Sequence, residues 1–310
     1  MPRYTPSELA AALKDGLLSF PVTPFTADLA VDEERLHEHV DWQAGFGVSG
    51  LFAAGGTGEG FSLLPDERAR VVATAVRAVA GRVPVLGSAT GCTAQAVADV
   101  RAADEAGADG VLLLPPYLTE CDQDGLAAHA SAVLSATDLG VVLYNRGNAR
   151  YAAGTVARLA DAHPNLIGFK DGVGDLEQLA RVITRNGDRL FYLGGLPTAE
   201  TFALPLLQMG VSTYSSALYN FLPELALEFY RDVRANDTAA VTATLGRFVL
   251  PYLDLRDRVK GYGVSIVKAG LRSVGRDPGP VRPPLQDLTA ADQAELDALV
   301  SRVAPAAALA

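Results

Sequence analysis

Cysteine is almost missing from this chain. Two thiols, Cys92 and Cys121, occur among 310 residues, too few for a disulfide framework and at no metal-binding spacing. A reducing, cytoplasmic setting is therefore expected. Long apolar runs are missing too: none approaches the roughly 20 residues of a membrane helix. The opening stretch, MPRYTPSELAAALKDG, has no apolar core and carries acids early, so neither an export signal nor a membrane partner is expected. Positive charge is in deficit. A formal net charge of −10 argues against nucleic acid as a partner. It also requires an anionic substrate to be held by locally placed cations and backbone N–H groups.

Histidine is scarce as well. The four histidines are His37, His39, His129 and His163. His37 and His39 lie in the amphipathic stretch DEERLHEHVDWQAG, where positions i and i+2 do not share a face. A surface or core-edge role is expected for them. What the chain has in quantity is apolar material, 49% of its residues, enough for one large core or two modest ones.

That material is arranged as short β-rich runs alternating with helical stretches. The candidate strands are LLSFPVTPF (17–25), GLFAAG (50–55), PVLGSA (84–89), GVLLLP (110–115), GVVLYN (140–145), LIGFKD (166–171), LFYLGG (190–195) and VSTYSSA (211–217). Between them, DERARVVATAVRAVAG places Val72, Ala75, Val76 and Val79 on one helix face, and DLEQLARVI does the same for Leu176, Leu179, Ala180 and Ile183. Parallel βα units follow. The first strand ends in PVTPF, which cannot form the Gly-rich turn of an open dinucleotide-binding sheet. The expected fold class is therefore α/β, a (β/α)8 TIM barrel spanning residues 1–236. Residues 237–310 are expected to add a C-terminal three-helix extension on the barrel's side, with the proline-rich GRDPGPVRPPLQ inside it.

In such a barrel the chemistry sits at the C-terminal ends of the strands. Those ends offer Thr23, Gly55, Gly56, Thr57, Glu59, Ser88, Thr90, Tyr117, Tyr144, Asn145, Arg146, Lys170, Asp171, Gly194, Gly195, Ser215 and Ser216. No histidine is among them. The carboxylates are Glu59 and Asp171 alone, whereas a metal-using barrel needs several converging ligands; no metal site is expected. A lysine, a tyrosine, hydroxyls and glycine turns remain, and they suit covalent amine chemistry on an oxygen-rich anion.

Lys170 poses the sharpest question, because the buried-looking run Leu-Ile-Gly-Phe ends on it. It is either a solvated lysine paired with Asp171 or an amine that the site needs. Strand parity favours the second reading. If Ile167 and Phe169 face the helices, Gly168 and Lys170 face the axis, with Gly168 leaving room beneath the lysine. On the preceding strand Val142 and Tyr144 then point inward, and neighbouring strands lie about 4.8 Å apart. Tyr144, otherwise an aromatic plug, can meet the amine over the barrel mouth. Burial would keep that amine neutral for attack on a ketone, and the phenol could shuttle protons. The turn AAGGTGEGFSL (53–63) exposes N–H groups able to hold a carboxylate, with Thr57 adding a hydroxyl; a plain turn is the alternative. The ends LGGLP and STYSSALYN suit a carboxylate, phosphate or sugar hydroxyls.

The ordered set FPVTPF, GGTGE (55–59), YN (144–145) and GFKD (168–171) resembles the dihydrodipicolinate synthase/N-acetylneuraminate lyase superfamily over nearly the whole chain. The resemblance implies a Schiff-base-forming barrel acting on 2-keto acids without metal or organic cofactor, and dimers assembling into tetramers. By position it implies that Lys170 forms the Schiff base and Tyr144 moves protons. Gly56 and Thr57 would hold the keto-acid carboxylate, with Gly195 and Ser215 lining the site.

Three departures narrow the resemblance. Leu118 stands where the synthases carry a second tyrosine that enters a neighbouring subunit, Gly56 replaces the first of their paired threonines, and Arg146 follows the Tyr-Asn pair. The combination PPYLTE, GGTGE and YNR is most similar to the 5-dehydro-4-deoxyglucarate dehydratases, which implies a small keto-sugar diacid as substrate. Arg146 is then the candidate for the second carboxylate or a hydroxyl near it, since a guanidinium suits bidentate carboxylate binding. Asn145 is expected to brace the loop. An aldolase or lyase of the same superfamily and a non-catalytic keto-acid-binding barrel are the rival expectations.

Overall fold

Eight parallel strands close on one another in sequence order, with β1 returning to pair with β8. They are β1 (Leu18–Ser19), β2 (Gly50–Phe52), β3 (Val85–Ala89), β4 (Gly110–Leu113), β5 (Gly140–Asn145), β6 (Leu166–Asp171), β7 (Phe191–Gly194) and β8 (Thr213–Ser216). The computed structural model describes residues 3–117 and 120–304. Each strand is followed by a helix on the outside: α2 (Glu33–Ala44), α3 (Pro65–Val79), α4 (Thr93–Glu105), α5 (Gln123–Leu134), α6 (Ala153–Ala162), α7 (Leu176–Asn186), α8 (Glu200–Gln208) and α9 (Pro223–Arg234). The expected (β/α)8 barrel is the observed one.

The first strand is much shorter than its apolar run. Pro21 and Pro24 have no N–H to give a ladder, and Val22 N donates instead to the Asn220 side chain at 3.0 Å. The α3 face is buried largely as its spacing predicts, through Val71, Val72, Ala75, Ala78 and Val79. The α7 face is rotated from the expected one: Leu179, Val182 and Asn186 are buried and Leu176 is 47% exposed. Leu176 is the first helical residue after the Asp175 cap, and a first-turn side chain leans toward the N-terminus, away from the sheet.

A helix that the strand-and-crossover pattern does not anticipate precedes the barrel. In α1 (Pro6–Leu13), Thr5 and Glu8 form a capping box, the Glu8 carboxylate accepting Thr5 N at 2.8 Å. Leu9 and Leu13 are fully buried and belong to the cluster inside the barrel, with Leu18, Leu86, Leu112, Val142 and Ile167. They plug the N-terminal end. Glycines at strand starts make the room: a β-carbon on Gly50 would lie 2.5 Å from Leu13 Cδ2, and one on Gly110 2.6 Å from Leu9 Cδ2. A second, larger apolar layer lies between the strands and the outer helices.

Beyond α9 come α10 (Thr238–Thr244), a π-helical turn (Leu245–Val249) and α11 (Leu250–Arg256), then α12 (Tyr262–Ser273) and α13 (Ala290–Ser301). The π turn ends two residues before Pro251, whose ring and missing N–H disturb the preceding helical turn. Two ion pairs tie this C-terminal region to the loop after β2 and to the first turn of α3. Lys268 Nζ meets Glu59 Oε1 at 2.7 Å with both side chains fully buried, and Arg282 meets Glu67 at 2.6 Å. Among the described residues no helix is long and apolar enough to cross a membrane.

Candidate active site

Lys170 and Tyr144 are register partners on adjacent strands, and both side chains enter the C-terminal mouth. The amine Nζ lies 3.6 Å from the centre of the Phe20 ring and 4.5 Å from that of Tyr144. Lys170 is buried, and among the described residues no carboxylate forms an ion pair with it. Asp171 cannot do so because it is engaged elsewhere. Its Oδ1 accepts from Asn145 Nδ2 at 2.8 Å and its Oδ2 from Gly174 N at 2.9 Å. Asn145 also accepts Tyr151 N at 3.0 Å, which braces the loop after β5. Burial, and secondarily the positive charge of Arg146, hold the Lys170 amine well below the usual lysine range. The consequence is a larger share of the neutral, nucleophilic form of the amine than an exposed lysine has.

The expected parity holds at Lys170 but fails three residues earlier. Ile167 faces the barrel interior, packed in the inner cluster. The pairing with β5 shifts there: Val141 pairs with Leu166 and Val142 with Gly168, so Ile167 is an extra residue. Such a bulge resets the alternation, and Gly168 and Lys170 again face inward. The space above Gly168 is filled by Phe191, whose Cε1 a β-carbon there would meet at 2.5 Å.

The Tyr144 hydroxyl donates to the Gly195 carbonyl at 3.0 Å, and Arg146 Nη1 approaches the same hydroxyl at 3.4 Å. Burial raises the phenol's pKa, while the Arg146 charge opposes the rise. Gly195 and Gly172 leave the two side chains their room. A β-carbon on Gly172 would lie 2.7 Å from Tyr144 Cε2 and 2.9 Å from its hydroxyl.

A cavity of about 620 Å³ opens over this pair, and Lys170, Tyr144, Gly56, Thr57, Arg146, Gly195 and Ser215 all line it. The glycine turn is fixed from outside the cavity. The Thr23 hydroxyl donates to Gly58 O at 2.6 Å, and Glu59, in the left-handed region at φ 54°, is held by Lys268. Among the described residues no backbone carbonyl takes the N–H groups of Gly56 and Thr57, which leaves two adjacent donors at the cavity wall.

Several strand-end residues do not reach the cavity. Glu59 and Asp171 are engaged as described, and Ser88 donates to Ala53 O at 3.0 Å; Ser216 does line the cavity, its hydroxyl donating to the buried Glu200. Leu118, where a second tyrosine is missing, lies outside the described residues. His39 is buried on α2 between Gln43 and Asn220, at 2.8 and 3.0 Å; burial lowers its pKa to about 4, so it is a neutral core-edge residue. Other cavity residues were not legible in advance. Phe20 covers the amine, and Tyr252, Arg256, Gly261, Val264 and Leu285 arrive from the C-terminal extension. Phe20 belongs to the quoted FPVTPF run, but the others carry no local motif.

A buried lysine with a depressed pKa thus stands beside a tyrosine at the mouth of a closed (β/α)8 barrel, an arrangement suited to amine chemistry. The chain matches the model of the dihydrodipicolinate synthetase family over residues 13–303 and belongs to that family. Among its relatives is a protein of Pseudarthrobacter chlorophenolicus named probable 5-dehydro-4-deoxyglucarate dehydratase, 67% identical over 98% of this chain and 100% of that one. A Corynebacterium glutamicum protein of the same name is 62% identical, covering 97% of this chain and 95% of its own. Among solved structures, dihydrodipicolinate synthase from Bacillus clausii superposes with a TM-score of 0.87 at 28% identity, over 95% of this chain and 99% of that one. YagE from E. coli K12, solved in complex with pyruvate, gives 0.84 at 26% identity, over 94% and 98%.

Proposed function

We propose that this chain is a decarboxylating dehydratase that converts 5-dehydro-4-deoxyglucarate to 2,5-dioxopentanoate, carbon dioxide and water. The observation that carries the chemistry is the buried amine of Lys170, its pKa depressed by burial and without a carboxylate partner among the described residues, held beside the Tyr144 phenol in a cavity with backbone donors. The substrate is supported by the names of relatives at 67% and 62% identity.

The substrate's keto-acid carboxylate binds the N–H groups of Gly56 and Thr57, with Ser215 on the facing strand. The Lys170 amine attacks the adjacent ketone, and Tyr144 gives and takes the protons needed to lose the ketone oxygen as water. The resulting protonated imine is the electron sink, so the reading needs no metal or organic cofactor. Removal of a proton from the neighbouring methylene gives an enamine, which expels the next hydroxyl as water and leaves a conjugated iminium. The far carboxylate departs as carbon dioxide, its bonding pair passing into that conjugation to give a dienamine. Protonation and hydrolysis, which consumes one water, release the dioxo acid and restore the amine. Arg146, beside the phenol, hydrogen-bonds a substrate hydroxyl near the reacting carbons.

The test is product analysis on purified protein with the dehydro-deoxy-glucarate. Carbon dioxide and 2,5-dioxopentanoate in equal amounts support the reading. Pyruvate as a product would replace it with an aldolase. Absence of a borohydride-trapped adduct on Lys170 would replace it with a non-catalytic binder. A homo-oligomeric, cytoplasmic enzyme completes the proposal.

A further inference from the structure

We infer that Arg256, on the C-terminal helix α11, binds the far carboxylate of the substrate and thereby selects keto diacids over keto acids with a single carboxylate. The inference uses the function proposed above only for the identity of the natural diacid.

The reacting end of the cavity is already furnished. Lys170 fixes the carbonyl carbon, and the Gly56–Thr57 donors suit the carboxylate next to it. Arg146 also sits at that end, 3.4 Å from the Tyr144 hydroxyl and near enough to Lys170 for its charge to depress the amine. A six-carbon diacid has a second carboxylate at the opposite end of its chain, and the apolar and neutral cavity walls give it little to bind. Among the described residues, Arg256 is the other guanidinium on the cavity lining.

Its surroundings prepare it for that task. Asp257 accepts from Nε at 2.8 Å and from Nη2 at 2.9 Å, and Thr198 Oγ1 accepts from Nη1 at 2.7 Å. A guanidinium has five N–H donors in one plane, so two remain without an acceptor among the described residues. The Arg256 side chain is 16% exposed and that of Asp257 64% exposed. The aspartate therefore anchors the guanidinium from the solvent side while the arginine reaches into the cavity. Thr198 also lines the cavity, and its backbone lies in the left-handed region at φ 53°, a conformation that costs a β-branched residue free energy. That strained residue is the one whose hydroxyl orients the guanidinium. A fork held at three points loses little freedom on gripping a carboxylate.

The experiment compares 2-oxoadipate with 2-oxohexanoate, which share a six-carbon chain and a keto-acid end but differ in the far carboxylate. Each is trapped on Lys170 with borohydride and scored by intact mass against concentration, with pyruvate trapping as the reference for amine reactivity. The wild-type protein is expected to reach half-saturation with the diacid at a concentration at least tenfold lower than with the monoacid. Arg256→Gln is expected to erase that preference. Arg256→Lys, which keeps the charge but not the fork, is expected to retain only part of it, and it carries the test if the glutamine variant does not fold. A wild-type protein without the preference, or an Arg256→Lys or Arg256→Gln variant that keeps all of it, overturns the inference. Because trapping needs no turnover, it is decided separately from carbon dioxide release by the natural diacid.

Discussion

A β-carbon on Gly195 would lie 2.4 Å from Lys170 Cε and 2.6 Å from its Cγ, so the lysine occupies its place only because residue 195 has no side chain. The carbonyl of the same residue accepts the Tyr144 hydroxyl at 3.0 Å. One backbone unit at the end of β7 thus positions both the amine and the phenol. Gly195→Ala is expected to fold and to lower kcat/KM by about 100-fold or more, the scale of an ångström's misplacement of a reacting group. Steady-state kinetics beside a thermal melt checks this; unchanged turnover would contradict the packing argument.

Burial of Lys170 also predicts an unusual dependence of stability on pH. In the unfolded chain the amine keeps its proton up to about pH 10.4. The native state releases it well below lysine's reference value of 10.5. Between the two, the unfolded state binds more protons, so this group's contribution to stability rises with pH and is unfavourable at neutrality. Lys170→Met should therefore melt at a higher temperature than the wild type at pH 7 and lose that advantage toward pH 10, while forming no trapped adduct. Each unit of depression corresponds to about 1.4 kcal/mol. A pH-independent difference between the two melts would argue that the amine is charged in the folded protein.

The pair Lys268–Glu59 couples the extension to the glycine turn. Both side chains are fully buried at 2.7 Å, and Glu59 Oε2 also accepts Arg282 N at 3.0 Å. Lys268→Met leaves a buried carboxylate without its cation, and removing one partner of such a pair costs roughly 3–5 kcal/mol. The double variant Glu59→Gln/Lys268→Met should be less destabilised than the sum of the single changes. Urea unfolding of the four proteins measures the coupling, and simple additivity would show that the pair does not act as a unit.

The contrast between Lys170 and Lys268 shows how far the sequence could be read. Lys170 is legible because strand residues alternate faces and because the strand ends of a barrel converge. The same alternation misplaces Ile167, since a bulge adds a residue that no composition cue announces. Lys268 and Arg256 sit on helices whose local pattern says only amphipathic; which strand-end loop they reach depends on how the extension packs across the barrel. The short β1 was foreseeable from Pro21 and Pro24. Helix α1 was signalled by the Thr5–Glu8 spacing, but its use as a plug depends on glycines far along the chain.

Gly56 offers the most direct probe of cavity size. A β-carbon there would have no neighbour within 4 Å, and the residue lines the cavity, so the missing side chain leaves open volume beside the Gly56–Thr57 donors. Gly56→Thr, which recreates paired threonines, meets no packing obstacle and should leave the melting temperature within a few degrees of the wild type, as surface-like changes of about 0.5 kcal/mol do. Its hydroxyl and methyl groups would occupy space that a hydroxylated six-carbon diacid requires but pyruvate does not. The expected result is a loss of turnover of the dehydro-deoxy-glucarate that exceeds any loss of pyruvate trapping by about tenfold, the scale of a misfit of one or two heavy atoms in a pocket. Measuring both on one preparation separates substrate fit from amine reactivity. Equal losses would mean that residue 56 acts through the lysine, and no loss on either would mean that the substrate does not pass this wall.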